Sequence, residues 1–258
     1  MARGLRSTAD FDAVMRSYVE GHPQLSGTSV EQLAAPKLTV DERFCRDMAD
    51  LFDRAPMLDW TDDLVERYEM FKRENLKQYR VIRAEGLDVR PWNAPRGPYR
   101  DSRHLVRSVR ETGVLRVHLT SAGHGPGPAT GFHPLRTPSG VVEHGVELTH
   151  NDVFRVVHDV FGHVVRGNGF GPRGEFRAAR AHLAMYPAAV GPVLVVEQVA
   201  QICWFFYGPH LRVDGRLPTR GEPGYTPPDR RPYAEQKVFP LERHHVARFL
   251  GQFKEEHG

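Results

Sequence analysis

His158-Asp159-Val160-Phe161-Gly162-His163-Val164-Val165 is the stretch of sequence that decides how this chain is interpreted. It places two imidazoles five positions apart within a segment that otherwise has the apolar pattern of a helix. An ideal helix turns about 100° per residue, so positions five apart diverge more than positions four apart. Gly162 directly precedes the second histidine and lets the backbone bring His163 back towards His158. Two histidines so arranged suit a metal ion that keeps open coordination positions.

The composition is typical of a soluble globular protein. The chain has 258 residues, 40% hydrophobic and 26% charged, and can bury a sizeable core. The formal net charge is only +3 and the basic residues are scattered, which argues against a nucleic-acid partner. Cys45 and Cys203 lie far apart in apolar helical contexts. We therefore expect neither a disulfide scaffold nor a thiolate zinc site.

The sequence also predicts a location. The first residues lack the apolar core and cleavage site of a signal peptide. We find no apolar run that approaches the roughly 18 residues needed to span a bilayer. The chain is therefore expected to be cytoplasmic and reduced, with no membrane partner.

Hydrophobic periodicity predicts a mainly α protein with a small β element, folded as a single helical domain over residues 1–258. Within it we expect a helical scaffold over about 39–112, a core that carries the metal site over 113–210, and an irregular segment with a closing helix over 211–258. Helices are predicted over 8–20, 41–54, 61–84, 102–112 and 241–253, and strands over 114–119 and 141–148. Thr39 is the expected cap of the second helix, and 91–99 is expected to be a loop.

Three consecutive helices are predicted to surround the metal site. The first starts at Asn151 as N-cap and carries both histidines, the second covers 174–186, and the third covers about 192–207. A glycine- and proline-rich loop from Gly123 to Gly140 precedes them and is long enough to be a mobile cover. Its histidines, His124 and His133, are expected to be solvated.

Glu197 is the predicted third ligand because it lies inside an apolar helix. Burial of an ionised carboxylate is costly unless a cation or a hydrogen-bond network compensates it. A divalent ion is the most effective compensator, and His158, His163 and Glu197 would form the facial triad of non-heme iron. Two alternatives remain open: His182 as the third ligand, and a structural ion pair of Glu197 with an arginine, either Arg155 or Arg177.

Further polar residues are predicted around these ligands. Glu175 and His182 are seven apart and share a helix face, and Gln201 follows Glu197 by four positions. We expect these three to orient the ligands or to meet the substrate. Asp159 is expected to fix an imidazole tautomer or to handle a proton. A two-metal site with Glu175 and His182 as further ligands is the alternative.

The segment from His158 to His163 resembles the His-Glu-x-x-Gly-His iron motif of the pterin-dependent aromatic amino acid hydroxylases. In that family both histidines and a downstream helical glutamate bind iron, so the resemblance implies His158 and His163 as iron ligands, with Asp159 replacing the family's glutamate. The family's proline after the second histidine is absent here. Its glutamate ligand follows a Trp-Phe pair, whereas Glu197 precedes Trp204-Phe205. The resemblance covers a few tens of residues and implies metal chemistry more than pterin use.

The longer stretch from Asn151 to Gly208 resembles an uncharacterised His-Asp-x-x-Gly-His domain of phage and bacterial proteins. This second resemblance implies no established activity. The residues that carry it beyond the two histidines are Gly174-Glu175, His182, Met185, Glu197, Gln201 and Tyr207-Gly208.

The sequence as a whole predicts a mononuclear non-heme iron oxygenase or oxidase that acts on a small, aromatic molecule with dioxygen. Fe(II) is the expected metal, with zinc or manganese as alternatives. Trp204, Phe161 and Phe170 are expected to line the substrate pocket. A metal-dependent hydrolase of the His-Asp type is the second hypothesis, with His118 and Asp214 as its further ligands. A non-enzymatic helical binding module is the third.

Overall fold

The computed structural model describes residues 8–22, 25, 37–122 and 131–254, and it is mainly α with a small β element, as predicted. The α-helices are α1 (Thr8–Glu20), α2 (Glu42–Arg54), α3 (Asp62–Ala84), α4 (Ser102–Thr112), α5 (His150–Val157), α6 (Pro172–Leu183), α7 (Gly191–Leu194), α8 (Gln201–Tyr207) and α9 (Arg243–Leu250). The strands are β1 (Lys37–Leu38), β2 (Asp88–Trp92), β3 (Val114–His118), β4 (Pro138–Glu143), β5 (Val146–Thr149) and β6 (Phe253–Lys254).

The starts of the helices are set by side-chain caps. Thr61 caps α3, whereas Asp41 and not the expected Thr39 caps α2 and accepts from the backbone N–H of Phe44. Thr149, not the expected Asn151, caps α5 and forms a reciprocal capping box with Asp152. The short hydroxyl and carboxylate side chains each satisfy a backbone N–H that the first turn leaves free.

The strands form three two-stranded sheets. β2 precedes α4 in the chain and β3 follows it. The two strands pair in parallel, with Asp88 opposite Val114. The predicted loop over 91–99 is thus wrong at its start, because Pro91 and Trp92 end β2. The segment 141–148, predicted as one strand, instead contains the turn of the β4–β5 hairpin and parts of both strands. The turn lies at His144 and Gly145, both with positive φ.

The last helix of the described chain is shorter than predicted. α9 stops at Leu250, and β6 then pairs antiparallel with β1. Residues 123–130 of the predicted cover loop, including His124, lie outside the described residues. The rest of that loop continues through a short 3₁₀ turn at Pro134–Arg136 into β4.

The three predicted site helices pack together, and two of them contain π-helical turns. The first π segment, His158–Val164, continues α5, and the second, Val195–Ala200, joins α7 to α8. α6 packs against both π segments. The three predicted helices are therefore present in the expected order and in contact with one another.

The third of these helices is more apolar than expected. The helical stretch Ala188–Leu211 is long and apolar enough, by length and composition, to cross a membrane. The expectation that no apolar run approaches that length is therefore wrong. Of its most apolar window, 67% is buried inside the protein, as is usual for a core helix. Cys203 on this helix and Cys45 on α2 are both buried and free, and the fold brings the two thiols within hydrogen-bond distance of each other.

Gly162 allows α6 to approach the first π segment closely. A Cβ atom at this position would lie 2.8 Å from the Cβ of Ala178, well inside van der Waals contact. The neighbouring atom belongs to a short side chain fixed on the α6 backbone, so it moves only if the helix moves. The sequence attributed this glycine to backbone freedom, whereas the structure shows that it provides space.

We predict that Gly162→Ala destabilises the protein by about 1–3 kcal/mol, because overpacking outweighs the higher helix propensity of alanine. Urea unfolding measures the change. Gly191→Ala is the matched control, since its Cβ would lie 3.5 Å from Val246 and makes ordinary contact. Addition of Ala178→Gly should restore part of the stability of Gly162→Ala, since it relieves the contact but places a glycine inside α6. Equal stability of Gly162→Ala and the wild type would contradict the steric explanation.

Candidate metal centre and adjoining pocket

His158 and His163 meet because the helix between them is a π-helix. Its hydrogen bonds run from i to i+5, as from the N–H of Val165 to the carbonyl of Val160 at 2.9 Å. The wider turn brings residues five apart towards the same face. The two Nε2 atoms lie 2.9 Å apart, with the rings at 82° to each other. His163 is held from behind, since its Nδ1 lies 2.9 Å from the carbonyl of Asn168.

The carboxylate that the structure brings to these histidines is Glu175, in the first turn of α6. Its Oε2 lies 3.3 Å from Nε2 of His158, and its Oε1 lies 3.5 Å from Nε2 of His163. Among the described residues, these three alone form a group of histidine, cysteine or acidic side chains that could share an ion. From the sequence, Glu175 was expected to orient the ligands or to meet the substrate. Its position in the structure makes it a candidate ligand.

The spacing of the three donors fits one cation. Two ligand atoms that each lie about 2.1 Å from an ion are about 3.0 Å apart at a right angle and about 3.4 Å apart at a tetrahedral angle. The two imidazole nitrogens are 2.9 Å apart, and the nearest carboxylate oxygen lies 3.3 Å from His158 (Oε2) and 3.5 Å from His163 (Oε1). One ligand atom from each of the three residues lies within 4.8 Å of the others. The side chain of His158 is 17% exposed, that of Glu175 10% and that of His163 1%, so the site is reached from the His158 side.

Without a cation, a proton shared between His158 and Glu175 takes the corresponding position. Burial lowers the pKa of His158, but its hydrogen bond to Glu175 and the nearby negative charges outweigh this and raise it. Burial and the charge of His158 lower the pKa of His163 to about 4. Burial raises the pKa of Glu175, but the hydrogen bond and charge of His158 outweigh this and lower it. An ion pair of His158 and Glu175 beside a neutral His163 results.

Gln198, which sequence reasoning missed, contacts two of the three candidate ligands. It lies on the second π segment, with its amide nitrogen 3.1 Å from Nδ1 of His158. It also hydrogen-bonds Glu175. Gln198, and not the expected Asp159, therefore faces the ring nitrogen that sets the tautomer of His158. The only feature of the sequence that could have indicated this role is a glutamine inside an apolar segment, directly after Glu197.

His182 lies beside the cluster but outside it. Its ring centroid is 5.1 Å from that of His158, and the rings meet edge to face. It is fully buried, and its ring also meets the rings of Phe154 and Tyr186. Burial and the nearby histidines lower its pKa well below the ordinary value. His182 is therefore a neutral ring against which His158 packs.

Glu197, the predicted third ligand, lies in a separate polar cluster. It accepts hydrogen bonds from the hydroxyl of Tyr68 at 2.5 Å, from Nε2 of His133 at 3.0 Å, and from the amides of Gln236 at 3.2 Å and Gln201 at 3.4 Å. Burial and the charge of Glu197 raise the pKa of Tyr68, which remains a neutral donor. A hydrogen-bond network compensates this buried carboxylate, and the charge of Arg136 also acts on it. Neither Arg155 nor Arg177 pairs with it among the described residues.

His133 corrects a second expectation. It was expected to be solvated, but it is only 2% exposed and its Nδ1 accepts from the backbone N–H of Leu135. Its other nitrogen faces Glu197. The described end of the loop is thus fixed to the third site helix. Only the folded chain brings together these residues, which are 64 positions apart.

A pocket of about 430 Å³ lies beside the candidate metal ligands. Asp159, Gln201 and Phe170 line it, and the ring of Phe170 contacts His163 at 4.8 Å between centroids. Burial raises the pKa of Asp159 to about 6. Of the three predicted aromatic lining residues, only Phe170 takes part.

The other two have different positions. Phe161 is fully buried in the core, and Trp204 donates to Asp53 and packs on His210. Tyr99, Phe205, Phe206 and Tyr233 supply the aromatic lining instead.

The chain was compared with protein-family models, curated proteins and solved structures. Nothing in any of the three matches. The two resemblances based on the histidine motif therefore stay predictions.

We predict that Tyr68→Phe destabilises the protein by about 1.5–3 kcal/mol, because the variant removes a hydrogen bond to a buried charged group. Tyr79→Phe is the matched control. Tyr79 donates to Glu143 at 2.6 Å, but Arg83 pairs with the same oxygen and remains in the variant. A smaller loss is therefore expected in urea unfolding of Tyr79→Phe. Equal losses in the two variants would contradict the assigned role of the Glu197 network.

Proposed function

We propose that the protein is a metal-dependent enzyme, a mononuclear non-heme iron oxygenase or oxidase acting on a small, aromatic molecule. The proposed ligands are His158, His163 and Glu175. One observation carries the proposal: two imidazole nitrogens 2.9 Å apart face the carboxylate of Glu175, whose two oxygens lie 3.3 Å from His158 and 3.5 Å from His163, beside an aromatic pocket. Glu175 thereby replaces Glu197 in the ligand set.

The donor chemistry favours iron. Two imidazoles and one carboxylate form the set that non-heme iron oxygenases use, and three protein ligands leave positions for substrate and dioxygen. Bound iron would supply the activation of dioxygen. Zinc and manganese accept the same donors, so metal analysis decides among the three.

The surrounding residues have separate tasks. Gln198 orients His158 and Glu175, and His182 supports the His158 ring. Phe170 packs edge to face on the ring of His163 and lines the pocket. Asp159 on the pocket wall is placed to accept or return a proton at its carboxylate.

The hydrolase hypothesis has no supporting geometry. His118 binds the carbonyl of Ala94 through its Nε2, and Asp214 lies in an exposed turn with φ 50°. Neither belongs to the group that contains His158. The histidine-aspartate doublet is therefore left without the further ligands that this class requires.

We predict that protein loaded anaerobically with Fe(II) retains about one iron per chain after desalting, measured by elemental analysis. Nitric oxide, a probe for open iron positions, should then give the paramagnetic signal of an iron nitrosyl complex. Iron binding without that signal would indicate a closed structural site. Failure to bind iron, with zinc or manganese bound instead, would contradict the oxygenase assignment.

A pair of isosteric variants tests which glutamate is the ligand. Glu175→Gln should weaken metal binding by about 100-fold or more, since loss of an outer residue alone costs about 10–100-fold. Glu197→Gln should leave the affinity unchanged, because its partners are Tyr68, His133 and two glutamines. Competition with a coloured chelator measures both values.

Circular dichroism shows whether each glutamate variant folds. His133→Gln disturbs the same Glu197 cluster from the loop side and serves as a second control. The reverse result, with Glu175→Gln retaining metal and Glu197→Gln losing it, would return the third ligand to Glu197.

Gln198→Leu should weaken metal binding by about 10–100-fold. Metal on Nε2 of His158 leaves a proton on Nδ1, which needs an acceptor. The amide oxygen of Gln198 can fill that role after the amide turns over, and it has no other partner among the described residues. Gln198→Glu keeps an acceptor and should bind metal more tightly than Gln198→Leu.

Gln78→Leu is the matched control for Gln198→Leu. Gln78 is also fully buried, with its amide nitrogen bound to the carbonyl of Met185 and its oxygen unpartnered in the described structure. This variant should leave metal affinity unchanged in the chelator competition. Equal affinities of Gln198→Leu and the wild type would remove the positioning role.

A further inference from the structure

The pocket beside the candidate metal ligands is built from flat rings. Tyr99, Phe170, Phe205, Phe206 and Tyr233 line it together with Ile202. Phe205 contacts Phe206 at 5.0 Å and Tyr233 at 6.4 Å between ring centroids. Aromatic walls of this kind stack on a planar apolar group. The pocket volume, about 430 Å³, lies within the range that small-molecule sites occupy.

The charged groups of the pocket are mainly cationic. Arg116 and Arg155 line it, and Asp159 is the one carboxylate among the lining residues. Burial lowers the pKa of His118, so this third basic residue is neutral. The two guanidinium groups therefore leave an excess of positive charge in an apolar surrounding.

Arg116 is the cation whose charge the fold leaves unmatched. It is half-buried on β3, and within the described residues its guanidinium forms no hydrogen bond or ion pair. Arg155, by contrast, donates to the carbonyl of His118 at 2.5 Å and lies near the charges of Asp152 and Asp159. A guanidinium with free N–H donors in a partly buried site suits a carboxylate or phosphate group.

We propose that the pocket binds a small aromatic anion, with its ring among the phenylalanine and tyrosine side chains and its charged group on Arg116. The inference rests on the proposed function, because it names the substrate class of the same site. The ligand is recognised by a flat apolar body and one anionic end. Its binding does not require the metal, since the residues that hold it are not metal ligands.

Titration of metal-free protein with phenylacetate, followed by calorimetry, tests the charge requirement. Phenylacetamide and phenethylamine carry the same ring with a neutral and a cationic end. Phenylacetate should bind about 10-fold more tightly than the amide, equivalent to about 1.4 kcal/mol, and the amine should bind more weakly still. Phenyl phosphate in a parallel titration distinguishes a phosphate from a carboxylate as the preferred end.

Arg116→Gln should remove the preference for phenylacetate over phenylacetamide, whereas Arg116→Lys should keep part of it. Arg110→Gln, on the exposed end of α4, is the control and should behave as the wild type. Equal binding of acid and amide to the wild type would overturn the inference. So would an unchanged preference in a folded Arg116→Gln variant.

The two proposals fail in different ways. Phenylacetate that binds only after metal loading, and binds equally to Arg116→Gln, would place the carboxylate on the metal and overturn the pocket inference alone. A protein that binds phenylacetate through Arg116 but retains no metal would overturn the proposed function and leave the pocket inference in place.

Discussion

The close contact between Gly162 on the first π segment and Ala178 on α6 is the constraint on which the candidate site depends. A Cβ at Gly162 would lie 2.8 Å from the Cβ of Ala178, so a side chain there would force the two helices apart. Because α6 can approach this closely, Glu175 in its first turn reaches both histidines. The π turn supplies the other half of the geometry, since an α-helix would point residues five apart away from each other. Packing and local backbone form therefore act together.

Two buried glutamates on neighbouring helices illustrate different ways to compensate a carboxylate. Glu197 receives four hydrogen bonds from neutral or histidine donors and is compensated by the protein itself. Glu175 faces two imidazoles and one amide, and its charge is balanced by a proton held on His158. Glu197 is thus a structural centre that ties the loop at His133 to the helices, whereas Glu175 is the proposed metal ligand.

The pocket and the candidate metal centre share a wall. Asp159 follows His158 directly and faces the pocket, and Phe170 lies between His163 and the cavity. A ligand among the aromatic side chains would therefore lie next to the cluster without displacing it. The excess of guanidinium charge comes from Arg116 on β3 and Arg155 on α5. The small β element thus contributes to the site, although most of the fold is helical.

The sequence by itself determined the helices, most of their bounds and the histidine pair, because periodicity and capping residues act over a few positions. It also indicated that a carboxylate on a following helix would matter, but it favoured Glu197, whose apolar surroundings made a buried charge conspicuous. Tertiary structure alone decided that Glu175 meets the histidines and that Tyr68 and His133 meet Glu197, since these contacts join residues up to 129 positions apart. The π turns and the pocket with its unmatched Arg116 likewise depend on helix packing, for which no short sequence pattern exists.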